Sequence, residues 1–392
     1  MLVDRCTPQP HGWEPAFIVD GMTFGVKNTI AQTVGIVLAA GLTYLALRNV
    51  DFSGMWQALR DANYWWLFPI ITAALFSHFL RAWRWRMFID ALPESQRVEA
   101  APRVTLALAF NSVMIGYMIN NAVPRLGEFA RAANISSQAR WRFSSIFGTV
   151  VIERVLDLAS LILILVAVGV LVAGSEEAEV VFFGPLRARL DSVGILEITV
   201  LAAILAVFVM GLMWLPTLLG RNSGSSKLLK RLGPMIDSFR VGFLTLFKSN
   251  KRLGIFVTTV VIWFCYWLML YLPFHMLHMA QPWGLGSEAA LVLLGIGSVG
   301  FVIPAPGGIG AYHYFVIQSL VLLYAVPYDQ AASYAVLTHA AQLMLFGVGG
   351  FVCLLAQGSS LSSMMQIARQ AREKPVDDFV PSPSGAEDYI SR

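Results

Sequence analysis

The stretch LVLLGIGSVGFVIPAPGGIGAYHYFVIQSLVLLYAV (residues 291–326) decides the fold. It is apolar enough to sit in lipid, yet Pro304-Ala-Pro-Gly-Gly-Ile-Gly310 interrupts it. The prolines break a helix there and the glycines allow close backbone approach. Main-chain groups freed at membrane depth are tolerated only where they line protein or a watery cavity. The spacing therefore predicts a broken helix over 286–326. A second apolar region, 104–123, ends in Asn120, Asn121 and Pro124 and reads the same way.

The rest of the chain supplies the setting for these two breaks. Of 392 residues, 57% are hydrophobic and 13% charged, and the mean hydropathy is +0.65; a soluble domain is about 25% charged, so that class is excluded. Plain apolar runs fall at 29–47, 64–89, 144–173, 194–219, 253–277 and 331–357, each able to cover a hydrocarbon core of roughly 30 Å. The expected fold is an all-α polytopic membrane protein with about six full transmembrane helices and two re-entrant helical hairpins in an inverted repeat. Its parts would be an N-terminal segment (1–28), the integral membrane domain (29–357) and a tail (358–392) whose Pro375, Pro381 and Pro383 suit a disordered end. Cys6, Cys265 and Cys353 lie too far apart for a metal site and read as packing residues. No phosphate loop, Gly-x-Ser-x-Gly or His-Glu-x-x-His is present, so neither an enzyme nor a cofactor is expected.

Charge sets the orientation. The net charge of +4 is mild and gives no reason to expect nucleic acid. The 220–252 stretch holds eight basic residues (Arg221, Lys227, Lys230, Arg231, Arg240, Lys248, Lys251, Arg252) against Asp237 and should face the cytoplasm. Within it, Leu228, Leu232, Ile236, Phe239, Phe243 and Phe247 recur about once per helical turn, an amphipathic helix suited to an anionic leaflet. The insert at 174–193, with Glu176, Glu177, Glu179 and Asp191, fits the opposite side, and 48–63 reads as a small surface helix there. Counting spans, 104–143 enters and leaves from the inside and 286–326 from the outside, with both termini in the cytoplasm of a cell whose inner membrane holds the protein. Hairpins of opposite sense are what an inverted repeat produces. Tyr117-Met-Ile-Asn-Asn-Ala-Val-Pro-Arg-Leu-Gly127 can be laid over Phe301-Val-Ile-Pro-Ala-Pro-Gly-Gly-Ile-Gly310.

Ionisable groups at membrane depth cost roughly 2.5–3.5 kcal/mol each at a helix centre, so each invites a functional reading. Glu153, Arg154 and Asp157 share one stretch of helix and form either a binding site or an ion pair that locks helices together. In Asn120-Asn-Ala-Val-Pro-Arg-Leu-Gly-Glu-Phe-Ala-Arg131, a helix starting at Pro124 offers free N–H groups to an anion. Arg125 and Arg131 add charge suited to phosphate, and Glu128 either balances them or pairs with Arg131 on a surface. Pro306, Gly307, Gly308 and Gly310 expose backbone, and His313 either titrates beside them or is a packing residue. Arg81 and Arg84, with Arg86, Trp83 and Trp85, either anchor the second span at the inner face or face the same cavity as Arg125. His78 has no assigned role.

Taken together, Arg81-Ala-Trp-Arg84-Trp, Pro124-Arg-Leu-Gly-Glu128, Glu153-Arg-Val-Leu-Asp157 and Pro306-Gly-Gly-Ile-Gly310, in this order, resemble the flippase-like transmembrane domain of lysylphosphatidylglycerol synthases over roughly 29–357. The resemblance implies a helical domain that moves lipids between leaflets, with Arg125, Glu128, Glu153, Arg154, Asp157, Gly307 and Gly308 at the patterned positions. It implies no synthase activity, because the soluble aminoacyl-transfer domain is missing. Two departures bear on headgroup choice or proton coupling: a glycine usually follows the first proline where this chain has Arg125, and an acid commonly stands where it has His313. The expected function is translocation of a lipid with a phosphate-bearing headgroup, the partners being anionic membrane lipids and a protein of lipid biosynthesis. The rival is a non-transporting enzyme or accessory subunit of lipid-linked glycan, hopanoid or phospholipid modification.

Overall fold

The computed structural model describes residues 37–93, 103–172, 251–301 and 305–373, and the regular elements among them are helical. The chain runs through α1 (Val37–Leu47), α2 (Phe52–Arg60), a 3-10 turn (Tyr64–Trp66) and α3 (Leu67–Ile89). The first hairpin is α4 (Leu106–Ala122) and α5 (Leu126–Ala139), followed by α6 (Phe143–Val172). Then come α7 (Arg252–Met276), the second hairpin of α8 (Ser287–Gly300) and α9 (Ala311–Tyr324), α10 (Tyr328–Ala356) and α11 (Leu361–Glu373). Helices α3, α6, α7 and α10 are long and apolar enough to cross a membrane and fall on four of the expected spans. The surface helix expected at 48–63 is α2, whose N-cap Asp51 accepts from the Ser53 N–H. The 1–28 segment, the span at 194–219, the insert at 174–193 and the amphipathic segment 227–247 lie outside the described residues.

The hairpin helices are short. At about 1.5 Å per residue, the 17 residues of α4 and the 14 each of α5, α8 and α9 reach roughly 21–26 Å, less than the hydrocarbon core. Each pair folds back on itself through a similar turn. Val123 is extended before Pro124, as a residue preceding proline must be, and Arg125 then takes φ 64° before α5 begins. In the second hairpin Pro306 is followed by Gly307 at φ 59°. Both turns are thus a proline followed by a left-handed residue. Within the first hairpin the two helices almost touch, since a Cβ on Gly127 would fall on the carbonyl oxygen of Gly116.

Each hairpin has its own core. Trp85, Ile115, Ile135 and Ile146 surround the first, and Phe274, Leu293, Ile317 and Tyr334 the second. The packing partners of the two halves correspond: α3 lies on α4 as α7 lies on α8, α5 on α6 as α9 on α10, and α4 on α10 as α8 on α6, with α3 and α7 against each other. One expectation is corrected here. Residues 361–373, read as part of a disordered tail, form α11, whose Met364 and Ile367 are buried over α5. Met364 and Ile367, three residues apart, give this short segment the apolar side that docks, while Leu361 stays exposed.

Candidate functional site

Six charged side chains from three helices meet in one buried network. Arg81 and Arg84 are one turn apart on α3, and Glu153 and Asp157 one turn apart on α6, so two guanidinium groups face two carboxylates. Arg81 donates through Nη1 to Glu153 and, at 2.9 Å, to Asp157 Oδ2, while its Nη2 donates to the Tyr266 hydroxyl of α7 at 2.9 Å. Arg84 donates to Asp157 Oδ1 at 2.7 Å and to Thr259 of α7 at 3.0 Å. Arg131 of α5 reaches Glu153 Oε2 at 2.9 Å and lies over the Trp85 ring, 4.9 Å from its centroid. Arg154 completes the group at 3.4 Å from Glu153 and 3.8 Å from Asp157.

The charges do not balance. Among the groups in direct contact, four guanidinium groups meet two carboxylates, leaving two positive charges in excess, with Glu128 a further carboxylate that acts on Arg131 from outside the contacts. Glu153 and Arg84 are fully buried, and Arg81 and Arg131 are each 4% exposed, so water does not offset the excess there. Several donors also lack an acceptor, namely Arg131 Nη2, Arg84 Nε and Arg154 Nε. The way in is on the Arg154 side, where that side chain is 42% exposed and Asp157 is 14% exposed. Tyr117 of α4 stands within electrostatic reach of Arg81, Arg131 and Arg154. A cluster with excess cationic donors, one partly exposed edge and a hydroxyl close by can hold an anion.

This arrangement redraws the expected site. Arg81 and Arg84 do not anchor the span at the inner face; they are buried, and Arg86, beside Asp90 at 3.9 Å, is the half-exposed member of the trio. Arg125 does not join Arg131. It is exposed and forms no ion pair among the described residues. Glu128 does not pair with Arg131 but accepts from Asn120 Nδ2 at 3.2 Å, because α5 turns Arg131 inward toward Glu153. The start of α5 is also less open than expected: the Gly127 N–H donates to Asn120 Oδ1 at 2.7 Å, and Asn121 donates instead to the Leu343 carbonyl of α10 at 3.2 Å.

At the second break Pro306, Gly307 and Gly308 form a 3-10 turn, and Gly310 precedes α9 at φ 85°. There His313 lies 3.4 Å from His339 of α10, and the other His339 nitrogen lies 2.9 Å from the Gly307 carbonyl oxygen. His339, Tyr266 and Thr259 give no signal in the sequence, being scattered polar residues in apolar runs. His78, to which the sequence assigns no role, is buried between Tyr117 and Phe346 with both ring nitrogens unpartnered.

No curated protein and no solved structure matches the chain at a meaningful level. A family described as the lysylphosphatidylglycerol synthase TM region matches residues 32–350. That match contains both hairpins and every charged residue of the buried network, and family membership carries with it a lipid-related role in the membrane. On the strength of a match over most of its length, the chain belongs to the lysylphosphatidylglycerol synthase TM region family.

Proposed function

We propose that the protein is a translocase that moves a lipid with a phosphate-bearing headgroup between leaflets, making and breaking no covalent bond. The observation that carries this is the buried excess of guanidinium groups: four arginines on two carboxylates, with the Arg131 Nη2 donor unpartnered and an edge open at Arg154. Planar N–H donors of this kind suit phosphate oxygens, and a lipid phosphate would supply the missing negative charge. The acyl or prenyl chains would stay in the bilayer. The matched packing of the two halves and the short hairpin helices favour an inverted repeat of re-entrant hairpins, a design in which one half rocks against the other. The basic 220–252 stretch favours an inner membrane setting with cytoplasmic termini.

The test begins with lipids retained by gently purified protein, read by mass spectrometry, in wild type and in Arg131→Met and Arg125→Ala variants of equal stability. Wild type and Arg125→Ala should retain a phosphate-bearing lipid above its bulk proportion, and Arg131→Met should lose most of it. A fluorescent analogue of that lipid should then cross vesicle leaflets with wild type and not with Arg131→Met. Bulk proportions in all three proteins overturn the proposal.

A further inference from the structure

We propose that His313 and His339 form a one-proton binding site that sets whether the second half-helix of the second hairpin is capped. Three hydrogen bonds run in a line. The Gly310 N–H donates to His313 Nδ1 at 3.3 Å, the two rings meet through His313 Nε2 and His339 Nδ1 at 3.4 Å, and His339 Nε2 is 2.9 Å from the Gly307 carbonyl oxygen. These contacts fix both tautomers. A carbonyl only accepts, so His339 Nε2 carries its hydrogen; the neutral His339 Nδ1 then accepts, and His313 Nε2 must be the donor. His313 Nδ1 is left as an acceptor, as the Gly310 N–H requires. Both rings are neutral, and the chain holds the two ends of the Pro306–Gly310 break together across α10.

One added proton has a defined course. His313 is half-exposed and His339 is 1% exposed, so the proton arrives at His313 Nδ1. The hydrogen on His313 Nε2 passes to His339 Nδ1, and the positive charge rests on His339, whose Nε2–H still donates to Gly307. The pair remains bonded, with His313 Nε2 now accepting from His339 Nδ1–H. The bond that is lost is the cap: His313 Nδ1–H now faces the Gly310 N–H, donor against donor. Protonation therefore frees the first N–H of the half-helix while tightening the other end of the chain.

The surroundings leave this switch to the two imidazoles. Tyr312 of α9 shares a hydrogen bond with Thr338 of α10 at 3.0 Å, the Phe301 ring at the end of α8 lies against His339, Thr43 of α1 is beside Gly310, and Asn121 of α4 is beside Gly307. Among the described residues no carboxylate, Lys or Arg faces the pair. Asn121 belongs to the tip of the first hairpin and bonds to α10, so the switch sits where the two hairpins meet.

The test uses the full-length chain with 15N-labelled histidine in nanodiscs, from about pH 9 to about pH 3, resonances being assigned with His313→Gln and His339→Gln. At high pH both rings should be Nε2–H tautomers; on acidification the pair should take up one proton and His313 should switch to Nδ1–H. Over the same range, hydrogen exchange of the Gly310 amide, corrected for its intrinsic pH dependence, should speed up about fivefold, the factor expected for one ordinary net hydrogen bond. A glutamine side chain can accept from Gly310 and donate to His339 without titrating, so His313→Gln should keep Gly310 protected throughout. An Nδ1–H tautomer on His339 at high pH, two independent titrations, or a Gly310 response equal in wild type and His313→Gln overturns the proposal. These readouts are independent of lipid movement, so the proton site and the translocase stand or fall separately.

Discussion

Arg125 is the only residue of the first break that adopts a backbone conformation costly for its type, and its side chain has no ion pair among the described residues to compensate. A left-handed non-glycine residue costs roughly 1–2 kcal/mol, part of which glycine would return as unfolded-state entropy. Arg125→Gly should thus be neutral or up to about 1 kcal/mol more stable in thermal unfolding. Glu153 behaves oppositely. It contacts all four arginines of the network, so Glu153→Gln leaves four guanidinium groups on one carboxylate, and breaking a buried pair costs about 3–5 kcal/mol. Calorimetry of purified protein should register that loss, with an anionic phosphate-bearing lipid raising the unfolding temperature more than it does in wild type, since the variant holds one more uncompensated positive charge. At this scale the sequence is informative about which residues carry charge and poor about their partners. Arg81 and Arg84 near the end of an apolar span look alike whether they snorkel to the interface or turn inward, and only the position of α6 decides.

Elements are more legible. Pro124 stops α4 and Pro306 opens the 3-10 turn of the second break, for steric reasons that operate within a few residues, so both hairpins can be anticipated from the chain alone. The spans follow from length and apolarity in the same way. Helix α11 escapes a sequence reading because its signal is two docking residues, Met364 and Ile367, inside a tail of polar composition, and its helix is worth forming only against α5. That dependence gives a prediction. Met364→Ala and Ile367→Ala should each cost about 2 kcal/mol or more, at the low end for large-to-small core changes, and protease should cut near residue 360 sooner in the double variant.

Across the whole molecule, the halves are joined where α4 crosses α10. A Cβ at Gly350 would fall on Met118 Cβ and lie 2.7 Å from the Met114 carbonyl oxygen, whereas one at Gly347 on the same helix meets nothing within 4 Å. Gly350→Ala should therefore push the halves apart and lower the unfolding temperature. Gly347→Ala should be neutral or stabilising by up to about 1 kcal/mol, since alanine is the better helix former. A size-exclusion profile of each variant at rising temperature distinguishes the two. None of this is visible in the sequence, where the two glycines are three residues apart in one apolar run.

The excess of two positive charges in the arginine network has an electrical consequence. A charge moved through the full membrane field is worth about 2.3 kcal/mol per 100 mV, so shifting two of them through a tenth of it changes a conformational equilibrium by about 0.5 kcal/mol. A bound anion of matching charge cancels that term. In the proposed translocase the empty protein would then respond to membrane potential and the loaded one would not, which would make the voltage across the bilayer a bias on the return stroke alone.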